Sequence, residues 1–542
     1  MADKYENYSK DDLIRLLRER DRKPRFGLVW ERDEIDHDKS VHGDFVALDL
    51  QEDLSCGDAP YSNLLIEGDN FDALRYLRMT HAGKVKCIYI DPPYNTGNKD
   101  FIYNDHFVDK DDLYKHSKWL EYMYRRLEIA RDLLTEDGII FASIDDLEGC
   151  HLRLLMDQVF GENRFIGQFV WKSRQNKDNR TKNGASIDHE YVLAYGGNIR
   201  GVERDSEQFK NPDNDPRGAW TSGNMVGLAD EKARPNLHYD LIHPETGVNY
   251  KKPKQGWRFD KNRMAQLIKE ERILWPEKPS GRPRLKAFLS EMQSEHTGYS
   301  SLVGRDIYTY HGTRELDDIF DQRVFAFPKP SDFILELLQQ GAYEKDAIIL
   351  DFFGGSGTTA HAVAKLNARD GGNRRFIVVS STEESKEMPD KNVCRDICAK
   401  RIHSVLNGYK NKEGQKVEGL GGNFAYLRAR RIPIETIFTK VQHDQVWSAL
   451  QLIHAETLAP YQKNASFQIQ ETEKTVQGTI VIYLPKITET ALGDLKKKIK
   501  GKEVVIYSWQ PALLKERFEK SSVTVEPIPQ FLFDRFGAGA KK

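Results

Sequence analysis

The sequence predicts an α/β protein built on a Rossmann-like, mostly parallel sheet. Short apolar runs alternate with helical patterns along most of the chain, the pattern of a sheet covered by helices. Two of those runs end in an aspartate followed by turn-forming residues, at Asp91-Pro92-Pro93-Tyr94 and at Asp351 to Thr359. The alternation fades near residue 200 and resumes near 331, as one long insertion would make it. At 542 residues the chain has room for about three to four domains.

The elements follow in order. Residues 10–22 (KDDLIRLLRERDR) read as a short amphipathic helix with Leu13, Leu16 and Leu17 on one face. Residues 23–60 are polar and irregular, an arm or linker, so residues 1–60 form an N-terminal helix and arm. SNLLIEGDNFDALRYL gives a strand, the turn Gly68-Asp69-Asn70, and a helix facing inward through Phe71, Leu74 and Leu77. VKCIYI (85–90) is a strand ending at Asp91. A helix spans roughly 110–134, GIIFASI (138–144) is a strand, LEGCHLRLLMDQVF a helix and EYVLAY (190–195) a strand. Pro, Gly, Asn and Trp become frequent over 200–324. SDFILELLQQG then forms a helix with Gly341 as its C-cap. AIILDFF (347–353) is a strand, GGSGTTAHAVAKLNA a turn and helix, RFIVVSS (375–381) a strand, and KNVCRDICAKRIHSVL a helix. Residues 411–439 read as a linker. From 440 to 542 the alternation repeats on a smaller scale (TIVIYLP, LGDLKKKIKG, EVVIYSW, ALLKERFEK, VTVEPIP), a small separate α/β domain.

Composition bounds the function. The chain is 39% hydrophobic and 30% charged, which excludes collagen-like and disordered classes. No uncharged apolar run reaches the length of a membrane span, and the charged N-terminus lacks a signal-peptide core. Five cysteines in so long a chain do not make a disulfide framework. Cys394 and Cys398, four apart on a helix, read as buried thiols, and no residues are assigned to a metal. A soluble, cytoplasmic protein is expected. Its 81 Lys+Arg nearly balance 83 Asp+Glu, for a formal net charge of −2, but the average hides a bias. Lys251 to Lys286 holds 12 basic and 4 acidic residues, a local +8, and Trp171 to Gly184 holds five basic residues and one acid. Such stretches attract phosphate backbones, although a solvated surface is the plain reading of either alone.

Two motifs carry chemistry. Asp351-Phe352-Phe353-Gly354-Gly355-Ser356-Gly357-Thr358-Thr359 stands where a strand ends and a helix begins, the place where open α/β sheets bind ligands. Its glycines allow close backbone approach, and the free N–H groups of the new helix face an anionic group. The Lys of a phosphate-binding P-loop is absent. A packing turn is the plain alternative. In Asp91-Pro92-Pro93-Tyr94, two prolines fix φ and remove two backbone donors. That leaves a carboxylate, a carbonyl and an aromatic face within four residues. The match is to a base with an exocyclic amino group: Asp91 and the Pro92 carbonyl accept from the NH₂ while Tyr94 stacks on the ring. A rigid turn capping a strand is the plain alternative.

Together these motifs resemble the amino-group DNA methyltransferases that use S-adenosyl-L-methionine, with DPPY as catalytic motif and DxFxGxG as cofactor motif. DPPY precedes the glycine motif by 260 positions, the order of the beta class. Asn95-Thr96-Gly97, SIDD (143–146) and HLRLLMDQVFG closely resemble the modification (Mod) subunits of type III restriction-modification systems. The resemblance covers roughly 61–200 and 320–410. It implies a circularly permuted sheet of seven strands, with the DPPY half at 61–199, a target-recognition insertion at 200–324 and the cofactor half at 325–410. It implies that Asp351, Phe353, Gly354, Gly355, Ser356, Gly357, Thr358 and Thr359 hold the cofactor. Glu383, with Glu384 in reserve, would hold the ribose hydroxyls. Lys329-Pro330 resembles the KP motif at the methionine end, Asp69 the acid near the adenine, and Asn95 joins the cofactor set. Asp69 reads equally as a helix N-cap.

The implied reaction is site-specific methylation of adenine N6 in a flipped-out base of duplex DNA, in a restriction-modification or phage-defence setting. Cytosine-N4 methylation is the rival within enzymes. A DNA-recognition subunit serving a partner nuclease or helicase is the rival outside them. Double-stranded DNA is the expected partner, together with a second copy of the chain and a restriction, helicase or other defence subunit. The C-terminal domain is expected to dock one of the protein partners. In the insertion, Trp220, Trp257 and Trp275 are expected in a core, and His189 in DHEYVLAY as structural.

Overall fold

The computed structural model describes residues 9–10, 14–15, 29–30, 42–97, 101–103, 106–109, 111–178, 184–278, 280–292, 296–383, 390–471, 480–499, 503–518 and 523–538. Leu13, Leu16 and Leu17 of the expected N-terminal helix lie outside the described residues, as does Glu384. Residues 1–200 and 300–542 form one compact unit and residues 201–299 another.

The larger unit is built on a ten-stranded sheet. Its first elements are β1 (Phe45–Cys56), β2 (Leu64–Glu67), α1 (Asn70–His81), β3 (Val85–Ile90), α2 (Lys115–Leu133), β4 (Leu134–Ile144), α3 (Gly149–Phe160), β5 (Phe165–Trp171) and β6 (Glu190–Gly196). The smaller unit follows with β7 (Trp220–Gly223), α4 (Lys261–Lys269), β8 (Ile273–Leu274) and β9 (Arg284–Phe288). The larger unit resumes with β10 (Leu302–Val303), α5 (Thr309–Phe320), α6 (Ser331–Gly341), β11 (Ile348–Asp351), α7 (Thr358–Asp370), β12 (Arg375–Ser380), α8 (Lys400–Asn407), β13 (Phe424–Ile432) and α9 (His443–His454). The chain ends with β14 (Gln468–Glu471), β15 (Ile480–Leu484), α10 (Glu489–Lys498), β16 (Val504–Ser508), α11 (Pro511–Phe518), β17 (Val523–Pro527) and α12 (Gln530–Ala538).

The sheet order is β1-β13-β2-β12-β11-β3-β4-β6-β5-β10. Its seven central strands, β2 to β5, correspond to the permuted sheet that the resemblance implied. β11 lies parallel between β12 and β3, although it follows β3 by more than 250 residues. β6 alone among the seven runs antiparallel to its neighbours β4 and β5. β3 is buried over all six residues, as a strand covered on both faces must be.

Three further strands extend the sheet beyond seven. β10 pairs parallel with β5, and β13 pairs parallel with β2. β1 pairs antiparallel with β13 from Phe45↔Ile432 to Gln51↔Tyr426. Residues 45–56 are therefore a strand and not an irregular arm, and 411–439 holds a sheet strand instead of a plain linker. The pattern misled because Phe45 to Leu48 are all buried, on both faces, while the second half of β1 is polar and partly exposed. Gly341 also differs from its expected role. It is the last residue of α6, with Ala342 at the C-cap. An added Cβ would stand 2.6 Å from Phe141 and 3.0 Å from Cys87 Sγ, so glycine lets α6 lie close on the sheet.

The C-terminal elements do not form a separate body. β14 to β17 make a four-stranded sheet with two covered faces. Ile480, Ile482, Leu484 and Ile506 pack with Leu492, Leu495 and Leu514 of α10 and α11. Val481, Tyr483, Tyr507 and Ile528 belong instead to the main core, with α9 and α12. Phe536 of α12 lies 4.8 Å from the Phe45 ring, and Arg75 of α1 stacks over it at 4.6 Å. Period-two alternation in TIVIYLP serves both cores at once.

The smaller unit spans 201–299, so residues 300–324 of the expected insertion belong to the larger one. It has a three-stranded sheet, β7-β9-β8, and a core of Met225, Tyr239, Leu241, Tyr250, Trp257, Met264, Leu267 and Ile273. Trp257 is a core residue, its indole donating to the Tyr239 carbonyl at 2.8 Å. Trp275 is partly buried and stacks on Tyr250. Trp220 is partly exposed, its indole bonded to Asp213. Part of the basic stretch is neutralised within the unit: Lys251 by Asp240, Lys252 by Glu231, Arg272 by Glu291, and Lys286 by Asp213 and Asp215.

No helix among the described residues is long and apolar enough to cross a membrane. All five cysteines are free thiols. Cys394 and Cys398 are buried, and burial pushes the Cys394 thiol up to about 12.

Candidate active site at the strand ends

Both sequence motifs leave the sheet at the carboxyl ends of neighbouring parallel strands. Ile349 pairs with Cys87 and Leu350 with Ile88, so Asp351 and Asp91 emerge side by side from β11 and β3. A switch in strand order of this kind is where open α/β sheets bind their ligands.

Asp91 heads a four-residue cluster. Lys329 Nζ donates to Asp91 Oδ1 at 2.8 Å and Oδ2 at 2.9 Å, and to the Tyr94 hydroxyl at 2.8 Å. It also pairs with Glu190 Oε2 at 3.2 Å. The Tyr94 hydroxyl lies 2.9 Å from Glu190 Oε2 and 3.1 Å from Asp91 Oδ1, and donates its single proton to one of them at a time. Its ring is thereby pinned. One ammonium thus serves two carboxylates. Burial drives the Asp91 carboxyl pKa up, and the adjacent Lys329 charge opposes that rise. Burial alone would lower Lys329, but Asp91 and Glu190 outweigh it, and the ammonium is pushed up to about 12.

The two DPPY carbonyls differ. The buried Trp119 of α2 donates its indole N–H to the Pro93 carbonyl at 2.7 Å. No described residue donates to the Pro92 carbonyl, which stays available as an acceptor. Asn95, expected in the cofactor set, has another task. It is buried at φ +59°, and its amide nitrogen donates to the Lys115 carbonyl and to Glu148 of α3.

Asp351 is buried beside neutral donors. The Phe353 N–H reaches its Oδ1 at 2.9 Å, and the Thr359 hydroxyl its Oδ2. Burial, with the nearby Asp91 charge adding to it, pushes the carboxyl up to about 7 against those two hydrogen bonds. The glycine turn is pressed against the next strand. A Cβ on Gly354 would stand 2.3 Å from Val378 Cγ1, and the Gly354 N–H donates to the Val379 carbonyl at 2.9 Å. Gly357, at φ +81°, then turns the chain into α7. The Ser356 and Thr358 hydroxyls both accept from Arg401, which is fully buried and also pairs with Glu315. Those side chains hold the turn; its Gly355 and Ser356 N–H groups, without a partner among the described residues, and the Phe353 ring are left to meet a ligand.

Asp69 is the N-cap of α1, accepting from the N–H groups of Phe71 at 2.8 Å and Asp72 at 3.3 Å, with Arg126 Nη2 at 3.4 Å. Asn70 beside it donates to the Phe352 carbonyl at 2.9 Å and accepts from buried Arg126, tying this turn to the glycine turn. Glu383 lies past the end of β12, partly exposed at φ +53°, and is bonded to Lys391. Pro330 is the N-cap of α6, which sets Lys329 at the start of that helix. Among the described residues His189 bonds locally, to the Tyr191 hydroxyl at 2.8 Å.

Glu190 escaped the sequence reading, which singled out its neighbour His189. The signal was an acid at the head of an apolar strand. Because β6 runs antiparallel, its first residue lies at the edge where β3 and β11 end. Asn70, Trp119 and Arg401 also went unread, since each looks like an ordinary helix residue.

The DNA methylase family model matches residues 85–390. The chain is 34% identical over 347 residues to the type III restriction-modification enzyme StyLTI Mod subunit of Salmonella typhimurium, covering 58% of this chain and 52% of that one. It is 29% identical over 519 residues to the EcoP15I Mod subunit of Escherichia coli, covering 81% and 78%. It is 34% identical over 398 residues to the type II methyltransferase M.KpnI of Klebsiella pneumoniae, covering 68% and 94%. The match thus spans about half the length of the StyLTI subunit.

Proposed function

The chain belongs to the DNA methylase family, and on that premise we propose that it methylates adenine N6 at a specific site in duplex DNA. The cofactor in this reading is S-adenosyl-L-methionine, which when bound supplies a methyl group on a good leaving group. The residues present fit it. Gly354 lets the turn press against Val378 of the sheet, and Gly357 turns the chain into α7, whose N-terminal main-chain N–H groups suit anionic or hydroxyl oxygens. Phe353 adds an aromatic face, Glu383, past the end of the neighbouring β12, remains the ribose candidate, and Asp69 is an acid at the end of β2, one strand further on.

The single observation that supports the reading best is the Asp91 cluster. Adenine N6 is a poor nucleophile because its lone pair is delocalised into the ring. A carboxylate and the Pro92 carbonyl accepting its two hydrogens favour a more tetrahedral nitrogen, provided those bonds strengthen in the transition state. The Lys329 ammonium favours the ionised form of Asp91, the form able to accept. Tyr94, pinned through its hydroxyl, presents its ring to a flipped base, a contact worth about 1–3 kcal/mol by analogy with other base–aromatic stacks. The sulfonium chemistry needs little from the protein beyond this positioning.

The partners follow from the relatives, two of which are named as subunits of type III restriction-modification enzymes. In this reading the chain works with a restriction subunit and pairs with a second copy, while residues 201–299 read the DNA sequence. The test is incubation with radiolabelled S-adenosylmethionine and duplex DNA free of adenine methylation, followed by nucleoside analysis. N6-methyladenine supports the proposal. N4-methylcytosine overturns the base, and no transfer by protein that binds the cofactor overturns the activity.

A further inference from the structure

Beyond the DPPY cluster, one group of side chains has the composition of a metal site. His116 Nδ1, His151 Nδ1 and a Glu148 oxygen all lie within 4.8 Å of one another. Each imidazole reaches a different oxygen of the one carboxylate, at 2.7 Å, and the two rings stand 4.9 Å apart. Glu148 and His151 are three residues apart at the start of α3, which puts them on one face of the helix. His116 comes from the first turn of α2.

The position of Glu148 is unusual for its surroundings. Its side chain is fully buried, and its ion-pair partners among the described residues are these two histidines. It occupies the N-cap position of α3 yet makes no capping hydrogen bond. A second observation points the same way. The Asn95 amide, 1% exposed, donates to Glu148 Oε1, and its own carbonyl oxygen is buried with no hydrogen-bond partner. An oxygen acceptor without a donor thus stands on the amide that touches the carboxylate.

We propose that His116, Glu148 and His151 bind one divalent transition-metal ion of the zinc type. Two imidazole nitrogens and one carboxylate oxygen suit such an ion and do not suit magnesium or calcium, which take oxygen ligands. Three protein ligands leave one position for water. Both imidazoles are partly exposed, at 43% and 35%, so the ion has a path from solvent. Binding needs each Nδ1 to lose its hydrogen, which a shift to the Nε2–H tautomer supplies. The ion would fasten the start of α2 to the start of α3, and so hold the Glu148 carboxylate to which Asn95, the residue after Tyr94, donates. Its role is therefore structural: it stiffens the chain leaving DPPY without touching the reacting atoms.

The test uses the full chain without an affinity tag, stripped with a chelator and titrated with Co²⁺ or Zn²⁺. The proposal expects one equivalent retained after gel filtration, visible d–d absorption with Co²⁺, a rise in melting temperature, and no such rise with Mg²⁺. His116→Ala and His151→Ala each lose the retained equivalent. Folded wild-type protein that retains neither ion overturns the proposal, whatever the variants do. So does a full equivalent retained by the folded double variant, which would place the ion elsewhere.

Discussion

Asp91 and Asp351 are near twins in sequence and opposites in setting. Each ends an apolar parallel strand, the strands are neighbours, and both acids are followed by residues that stop the strand. Asp91 sits against the Lys329 ammonium, whereas the donors to Asp351 among the described residues are a hydroxyl and a main-chain N–H. Under the proposed function, the difference separates two tasks. An acid that must accept from a substrate amino group has to stay charged while buried, and that takes a cation. An acid that only braces a turn can carry a proton, and burial pushes Asp351 up to about 7.

The sharpest way to break this comparison is to remove each acid in turn. Asp91→Ala is expected to lower methyl transfer by on the order of 1,000-fold, the scale of losing a group that acts mainly in the transition state, while cofactor affinity by calorimetry stays close to wild type. Undiminished turnover would remove Asp91 from the chemistry.

Asp351 is expected to show itself in stability. Its folded pKa lies above the ordinary carboxylate value, so between about pH 4 and pH 7 the native state holds a proton that the unfolded chain has released. Stability from this group is therefore full below about pH 4 and lost as pH rises to about 7, by at most about 4 kcal/mol. Urea midpoints across that range should fall more steeply for wild type than for Asp351→Asn; parallel curves would contradict the assignment.

Lys329→Met deletes the cation and leaves Asp91 buried without it. The carboxyl pKa should rise further, so activity should drop by roughly 100-fold near neutrality, about 2.7 kcal/mol, and recover in part as pH increases. A pH profile that keeps its wild-type shape would deny Lys329 this role.

Gly354→Ala probes the turn itself. Its Cβ has no room beside Val378, so a loss of about 1–3 kcal/mol in stability is expected, along with weaker cofactor binding. Unchanged melting and affinity would mean that the turn yields freely.

The smallest effect is expected from Glu190→Gln, which keeps a partner for the Tyr94 hydroxyl but halves the negative charge facing Lys329. A loss of about tenfold in turnover with the fold intact fits a positioning residue. A loss as large as that of Asp91→Ala would make Glu190 an equal member of the reaction.

What could be read from the sequence follows the same physics. DPPY and the glycine turn were legible because prolines, glycines and a strand-ending acid restrict the backbone in recognisable ways. Lys329 was legible as a motif but was placed toward the cofactor, whereas the structure turns its ammonium to Asp91, 238 residues away. Glu190 was hidden because only the antiparallel run of β6 brings it to the site, and strand direction leaves no mark in a single apolar run. β1 was hidden by burial on both faces of its first half. Residues 201–299 read as aperiodic because their strands are two to five residues long, too short to show a period.

The central claim is methyl transfer to adenine by the Asp91 cluster. The most direct test expresses wild type and Asp91→Ala in a host lacking adenine methylation and sequences the DNA with a method that reads modified bases. The account predicts N6-methyladenine at one motif with wild type and an unmodified genome with the variant. N4-methylcytosine at a motif, or equal adenine methylation from both proteins, would contradict it.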